Sequence, residues 1–296
     1  MSRLEEAMNK AKQLRGTDGG MVRTAAPPKT STPIPRQVPG EGIEVVHPLL
    51  VAANDENVPV AEEYRKLKSM VVQITKKKGF CNTLMVTSSV SGEGKSITAL
   101  NLALSIAQEH DHSVLLIDAD LRNPSLCRYL GVEPKAGLAN CLMDGMDIGD
   151  ALIKTGLGNL TLLPAGKRVV NPVELFTSQK MRDLLDQIKH RYADRYVVFD
   201  TPPLLPFAET RFLGTRVDGV VFVVREGGPS LQNVTEALEA LKDANVLGLV
   251  YNEASESSRG SGYNYAYYGY GSRGSVVPRS GKGSFLSRVV KPQGGK

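Results

Sequence analysis

The sequence predicts an α/β fold in which a doubly wound, mostly parallel β-sheet is covered by helices on both faces. Stretches with helical spacing, such as 95–110 and 230–244, alternate with short apolar runs of strand length. Six such runs occur, at 83–88, 113–118, 160–164, 196–200, 219–224 and 247–252. Continuous apolar strands that alternate with helices are typical of a parallel sheet buried on both faces.

Composition divides the chain into four regions. Residues 1–15 predict an amphipathic helix, and the proline-rich residues 16–42 predict an extended linker. Residues 43–254 contain the alternating strands and helices, so we expect them to form the folded domain. Residues 255–296 form a basic segment rich in glycine and tyrosine, which we expect to be disordered.

Composition and charge favour a globular protein of the cytoplasm. The hydrophobic share of 41% and the charged share of 23% are ordinary for such a protein. No apolar run reaches the roughly 18 residues that a membrane span needs, and the first residues lack the apolar core of an export signal. The three cysteines have no CxxC spacing, which favours reduced thiols. The net charge of +5 reflects seven basic residues and no acidic residue after Ser257.

A phosphate-binding loop follows the first apolar run. The segment SVSGEGKS, Ser89 to Ser96, lies between a predicted strand and a predicted helix, and Ser89 stands where such loops usually have glycine. Glycines let backbone N–H groups turn toward an anion, and the helix N-terminus adds its positive dipole end. A plain glycine-rich turn is the alternative. We predict that ATP binds through residues of this loop: Ser91, Gly92, Glu93, Gly94, Lys95, Ser96 and Ile97.

Three aspartates lie at or just beyond the carboxyl ends of two other predicted strands. Asp118 and Asp120 occur in LLIDADLR, and Asp200 ends YVVFD. In an open parallel sheet, ligands bind outside the carboxyl ends of the strands, where carboxylates can hold Mg²⁺. An aspartate in such a position can also be a helix cap or a turn residue. We predict a nucleoside-triphosphate site in which Ser96, Asp118 and Asp200 hold Mg²⁺.

These motifs together resemble those of the bacterial tyrosine kinases of exopolysaccharide and capsule synthesis. The resemblance covers residues 58–254 and the tyrosine-rich tail, with further matches at 62–71, 163–185 and 250–254. The aspartate-rich motif with its arginine, DADLR, is the most specific part of it. The resemblance implies a phosphate-loop ATPase fold and an ATP-dependent protein-tyrosine autokinase.

The resemblance also implies roles for individual residues. Lys95 and Ser96 would hold phosphate and Mg²⁺, and Asp200 would support the metal ion. Asp118, or alternatively Asp120, would receive or position the proton of the acceptor tyrosine. Asn252, at the end of the last predicted strand, would contact the nucleotide base, although it could be only a cap.

Two departures from the family pattern affect these implications. Ser89 replaces a glycine in the loop. Glu62, Arg65 and Lys68 stand where the family usually has Glu-x2-Arg-x2-Arg, a motif used in ring assembly, and lysine cannot reproduce the bidentate contacts of arginine. These three residues form the predicted oligomer interface, with a solvated charged helix face as the alternative.

The tyrosine-rich tail fits the acceptor of such a kinase. By resemblance, the phosphoacceptors would be Tyr263, Tyr265, Tyr267, Tyr268 and Tyr270. The resemblance further implies a homo-oligomeric ring, a cognate tyrosine phosphatase and a membrane chain-length-determinant partner that recruits the kinase to the inner face of the cytoplasmic membrane. The basic end of the tail could instead touch anionic lipid. The tail lacks RGG repeats, so we expect no nucleic-acid partner.

A different class of function is also compatible with the phosphate loop. The partition and division-site ATPases share this fold and act as switches that localise or assemble partner complexes. They carry an extra lysine at the second loop position, where this chain has Val90, and they lack a tyrosine tail.

Overall fold

A central eight-stranded sheet organises the protein. The structure, a computed structural model, describes residues 47–53, 59–77, 81–191, 195–255 and 289–290. The predicted N-terminal helix, the predicted linker, the five tail tyrosines and the rest of the tail apart from Ser255, Val289 and Val290 lie outside these residues. Among the described residues, no helix is both long enough and apolar enough to cross a membrane.

Eight strands are described in this sheet. They are β1 Thr83–Ser88, β2 Val114–Asp118, β3 Ile153–Lys154, β4 Leu160–Leu163, β5 Tyr196–Asp200, β6 Gly219–Arg225, β7 Val246–Asn252 and β8 Val289–Val290. Their order in the sheet is β3-β4-β2-β5-β1-β6-β7-β8, and the six central strands run parallel. This arrangement confirms the predicted doubly wound, mostly parallel sheet. β3 and β8 pair antiparallel at the two edges, and each is only two residues long, so neither produces an apolar run in the sequence.

Nine helices are described around this sheet. The predicted helix at 230–244 is shorter in the structure and ends at Glu239, because the chain turns there before it enters β7. The helices are α1 Pro59–Lys76, α2 Lys95–Ala107, α3 Leu126–Leu130, α4 Leu138–Asp144, α5 Ile148–Ala151, α6 Pro172–Thr177, α7 Gln179–Arg191, α8 Ala208–Gly214 and α9 Leu231–Glu239.

Helix α2, which follows the phosphate loop, is the most deeply buried helix. Every residue from Ser96 to Ala107 is buried, because the sheet covers one side of α2 and α1 covers another. Buried side chains of α1, such as Tyr64, Leu67 and Val71, pack into the same core. This packing holds the loop at the N-terminus of α2 in a defined position above the carboxyl end of β1.

A buried asparagine joins α2 to the segment 47–53, which precedes α1. The Asn101 amide oxygen accepts a hydrogen bond from Ala52 N–H at 3.0 Å. Its nitrogen donates to the Leu49 carbonyl at 2.9 Å and to the Ile97 carbonyl at 3.0 Å. Since Asn101 is fully buried, these backbone groups have no easy replacement partner in water.

We expect Asn101→Leu, which keeps the approximate volume, to lower the free energy of unfolding by about 3 kcal/mol, because it leaves buried backbone groups unpaired. Urea denaturation measures this loss. The matched control is Asn245→Ala, which removes one exposed hydrogen bond to the Asp218 carbonyl. The control should stay within about 1 kcal/mol of the parent, and an equal loss in both variants would contradict the role of Asn101.

Candidate active site

Two glycines shape the loop between β1 and α2. Gly92 and Gly94 have φ angles of 83° and 87°, in the left-handed region that favours glycine. Gly94 is also the N-cap of α2, and a Cβ at Gly94 would lie 2.1 Å from Asn252 Nδ2. The loop therefore needs glycine at position 94 for both its backbone conformation and its close packing. Backbone N–H groups arranged in this way at a helix N-terminus form a site for phosphate.

A buried glutamate holds the loop from inside. Glu93 is 1% exposed, and its Oε2 accepts hydrogen bonds from Ser89 Oγ at 2.8 Å and from Val90 N–H at 2.7 Å. Its Oε1 accepts from the N–H of Arg225, on β6, at 3.4 Å. The hydroxyl of Ser89 thus gives the carboxylate a partner that glycine could not supply. The sequence predicts Glu93 as a ligand-binding residue but carries no signal for this internal contact.

Asn252 connects the end of β7 to the same loop. Its Nδ2 donates to the Glu93 carbonyl at 2.9 Å, while its Oδ1 is buried and has no hydrogen-bond partner among the described residues. The structure therefore places Asn252 at the predicted site, where one half of the amide holds the loop. The other half remains available as an acceptor.

Asp118 and Asp200 lie side by side because their strands are neighbours. They occupy paired positions of β2 and β5, and both carboxylates are buried. Asp118 Oδ2 accepts from the N–H groups of Ser125 and Leu126, both at 3.1 Å, at the start of α3. Asp118 Oδ1 and both Asp200 carboxylate oxygens have no hydrogen-bond partner among the described residues.

Lys95 brings a positive charge to these carboxylates. Its Nζ lies 3.1 Å from Asp120 Oδ2 and donates to Ser96 Oγ at 3.3 Å. Burial alone would lower the pKa of Lys95, but the charges of Asp200, Asp120 and Asp118 raise it overall. Lys95 is therefore a charged ammonium beside the phosphate loop at neutral pH.

The two neighbouring aspartates are difficult to ionise together. Burial raises the pKa of Asp118, and the charge of Asp200 raises it further. The hydrogen bonds that Asp118 accepts from the backbone N–H groups of Leu126 and Ser125 lower the pKa only in part. Burial also raises the pKa of Asp200, although the charge of Lys95 and the nearby Ser96 hydroxyl oppose this effect. Like charges in a desolvated site have this effect in general.

The residues present fit a bound Mg²⁺. The unpartnered oxygens of Asp118 and Asp200 are hard donors, and the Ser96 hydroxyl, in the first turn of α2, lies near Asp200. Among the described residues, no group of three or more His, Cys, Asp or Glu side chains could hold a metal ion by itself. Mg²⁺ in proteins usually takes one or two carboxylates and completes its shell with water and substrate phosphates.

An ion pair that sequence analysis missed supports the Asp120 loop. Arg122 Nε lies 2.6 Å from Oε1 of Glu209, a residue that is 1% exposed. The Arg122 guanidinium also lies 4.5 Å from the centre of the Phe207 ring. These contacts link the segment after β2 to the segment after β5. No sequence signal pairs the two residues, which lie 87 positions apart.

The other predicted site residues fall in three places. Ser91 is exposed at the loop, while the Ile97 side chain packs in the hydrophobic core, so only its backbone faces the loop. Glu62 and Arg65 pair with each other at 2.9 Å on the exposed face of α1. Lys68 pairs with Glu109 at 2.6 Å within the same chain.

The fold and the loop together define a P-loop nucleotide-binding domain. Residues 82–246 match the family described as AAA domain. The chain is 34% identical over 211 residues to the tyrosine-protein kinase YwqD of Bacillus subtilis. The matched residues cover 71% of this chain and 86% of YwqD. The chain belongs to the family of bacterial tyrosine-protein kinases.

Two further similarities agree with this assignment. The tyrosine-protein kinase wzc of Salmonella typhi is 34% identical over 193 residues, which cover 64% of this chain and 26% of that protein. The chain thus spans about a quarter of the length of this relative. Among solved structures, the kinase domain of the Escherichia coli tyrosine kinase ETK has a TM-score of 0.63 and 27% identity, covering 74% of this chain and 84% of that one.

We expect Asp200→Asn to stabilise the protein in the absence of nucleotide. Folding raises the pKa of Asp200, so at pH values above the raised pKa the ionised carboxylate lowers the free energy of unfolding. This destabilisation disappears as the pH falls and the carboxyl group is protonated. The melting temperature should rise by about 2–4 °C per kcal/mol of relieved cost. The gain should be larger near pH 8 than near pH 5.

Differential scanning calorimetry without Mg²⁺ or nucleotide measures this effect. Asp243→Asn, at an exposed position, is the matched control for the change of charge and should leave the melting temperature nearly unchanged at either pH. A lower melting temperature for Asp200→Asn near pH 8, or a gain that does not depend on pH, would refute the assigned cost of burying this carboxylate.

Proposed function

We propose that the protein is an ATP-dependent protein-tyrosine autokinase that transfers the γ-phosphate of Mg-ATP to its own C-terminal tyrosine cluster. The carrying observation is the convergence of the Lys95 ammonium and the carboxylates of Asp118, Asp120 and Asp200 beside a phosphate loop. The family supplies the reaction class, and the tail supplies the acceptors: Tyr263, Tyr265, Tyr267, Tyr268 and Tyr270.

In this proposal the loop binds the triphosphate through the backbone N–H groups of residues 91–97. Ser96 and Asp200 would hold Mg²⁺ directly and Asp118 would hold it through a water molecule, which leaves Asp118 Oδ1 open to the acceptor hydroxyl. Asn252 would offer its free Oδ1 to the base. Bound Mg-ATP supplies the phosphoryl group and neutralises negative charge on it. Phosphoryl transfer depends mostly on such positioning and charge stabilisation.

The protein's own residues then have two tasks. Lys95, held beside the loop by Asp120, stabilises the negative charge that develops on the phosphates. Asp118 accepts the proton of the attacking tyrosine hydroxyl through its free Oδ1, as the oxygen forms a bond to phosphorus and ADP departs.

The tail is long enough to deliver its tyrosines to an active site. The cluster lies 11 to 18 residues after Asn252, a distance that a flexible chain spans at roughly 18–23 Å on average. We propose that it enters the site of a neighbouring subunit in a ring. Glu62, Arg65 and Lys68 contribute to the ring contact, for which Lys68 has to share or exchange its present partner Glu109.

We further propose a regulatory setting in exopolysaccharide synthesis or export, at the inner face of the cytoplasmic membrane. A membrane chain-length-determinant protein recruits and activates the kinase, and a cognate tyrosine phosphatase resets it. Five phosphotyrosines would add on the order of −8 to −10 charges, which outweighs the seven basic residues after Ser257. This reversal of charge would loosen contacts between the tail and the subunits.

Intact-mass spectrometry after incubation with Mg-ATP tests the autokinase directly. We expect the parent protein to gain up to five phosphate groups. Lys95→Met should gain none, because the ammonium that stabilises the phosphates is absent. A variant with the five tail tyrosines changed to phenylalanine should also gain none, while it still binds ATP.

The same experiment separates the kinase from a partition-type ATPase switch. Hydrolysis of ATP without any gain in mass, alone and with the cytoplasmic segment of the membrane partner, would refute the autokinase and favour the switch. Phosphate that persists in the five-phenylalanine variant would place the acceptors elsewhere. The sequence supports the kinase over the switch, because Val90 stands where the switch ATPases carry their extra lysine.

A further inference from the structure

Arg225 lies at the carboxyl end of β6, beside the phosphate loop. β6 pairs with β1 so that Val223 lies opposite Ser88, the last residue before the loop. Arg225, two residues further along, is therefore level with the loop itself. On its other side it lies opposite Asn252 in the ladder between β6 and β7. Paired residues of neighbouring strands point to the same face of a sheet, so Arg225 and Asn252 both border the loop.

The contacts of Arg225 direct its side chain toward the loop. Its N–H donates to Glu93 Oε1, and its Nη1 lies 4.0 Å from the position that a Cβ on Gly92 would occupy. Gly228 packs so closely on the Arg225 stem that a Cβ there would lie 3.2 Å from both Arg225 Cβ and Nε. The turn after β6 therefore confines the stem and leaves the guanidinium beside Gly92.

The guanidinium charge has no carboxylate partner within ion-pair distance among the described residues, although the side chain is half-buried. Two other cations near the site differ in this respect, since Lys95 pairs with Asp120 and Arg122 pairs with Glu209. The carboxylate of Glu93 is occupied by Ser89, Val90 and the backbone N–H of Arg225. A cation next to a loop of converging N–H groups adds positive charge to a site already suited to anions.

We propose that Arg225 is a further phosphate-binding residue of the nucleotide site, whose guanidinium contacts the polyphosphate of the bound nucleoside di- or triphosphate. The planar guanidinium can donate two parallel hydrogen bonds to phosphate oxygens. Arg225 thus supplies positive charge from the β6 side of the loop, opposite the strands that carry Asp118 and Asp200. The inference rests on the proposed function, because it assigns a contact within the same nucleotide site.

Isothermal titration calorimetry of the full chain with Mg-ADP tests this contact. We expect Arg225→Gln to weaken binding about tenfold, the size typical of one lost charge-assisted hydrogen bond. The affinity of Arg225→Lys for Mg-ADP should lie between those of the parent and Arg225→Gln, because lysine keeps the positive charge but cannot donate two parallel hydrogen bonds. Inorganic pyrophosphate should compete with Mg-ADP less well in Arg225→Gln by a similar factor, since it contains the phosphates without the nucleoside.

Arg211→Gln is the matched control, because it makes the same change at an exposed arginine with no hydrogen bond or ion pair to a described residue. It should bind Mg-ADP like the parent, and all variants should melt within a few degrees of the parent without ligand.

Equal affinity of Arg225→Gln, Arg225→Lys and the parent would overturn this inference alone. Unchanged competition by pyrophosphate, with weaker ADP binding, would overturn the phosphate contact. A parent that does not bind Mg-ADP would overturn the proposed function as well.

Discussion

The balance of charge between Lys95 and three buried carboxylates governs the chemistry of this site. The exposed fraction of Asp118, Asp120 and Asp200 is 3% or less for each residue, and Lys95 is the nearby cation whose charge acts on all three. Full ionisation would leave an excess of negative charge in a desolvated place, which is costly unless a cation joins it. Raised pKa values for Asp118 and Asp200 are one response, and a bound divalent ion would be another. The site therefore carries a cost that a metal–nucleotide complex can relieve.

The parallel sheet is the reason that these groups meet. Asp118 and Asp200 come from paired positions of β2 and β5, and the loop leaves β1 on the other side of β5. On the far side of β1, β6 and β7 contribute Arg225 and Asn252 to the same edge. The two sides of the site therefore differ in charge, with acidic groups on one side of the loop and polar or basic groups on the other. In the proposed function, the metal would lie on the acidic side and the base near Asn252.

The loop itself is held by contacts from both its own residues and its neighbours. Glu93 bonds Ser89 and Val90 within the loop and reaches β6, while Asn252 bonds the Glu93 carbonyl from β7. Such contacts reduce the freedom that the loop would lose on binding a nucleotide, which favours affinity. The seryl residue at position 89 is accordingly part of the support of the loop and does not weaken it.

Much of the fold and the site could be predicted from the sequence, because both rest on local patterns. Apolar runs alternating with helical stretches predict the parallel sheet, and the loop from Ser89 to Ser96, between a strand and a helix, predicts a phosphate site. The carboxyl-end positions of Asp118 and Asp200 follow from the strands that they end.

The edge strands β3 and β8 could not be foreseen, because two residues carry no periodic pattern. Only the tertiary structure decided the long-range partners, including Glu209 for Arg122, Glu93 for the Arg225 N–H and Asn101 for Ala52. These contacts depend on which strands become neighbours and how deeply each group is buried, and neither property is local in the chain.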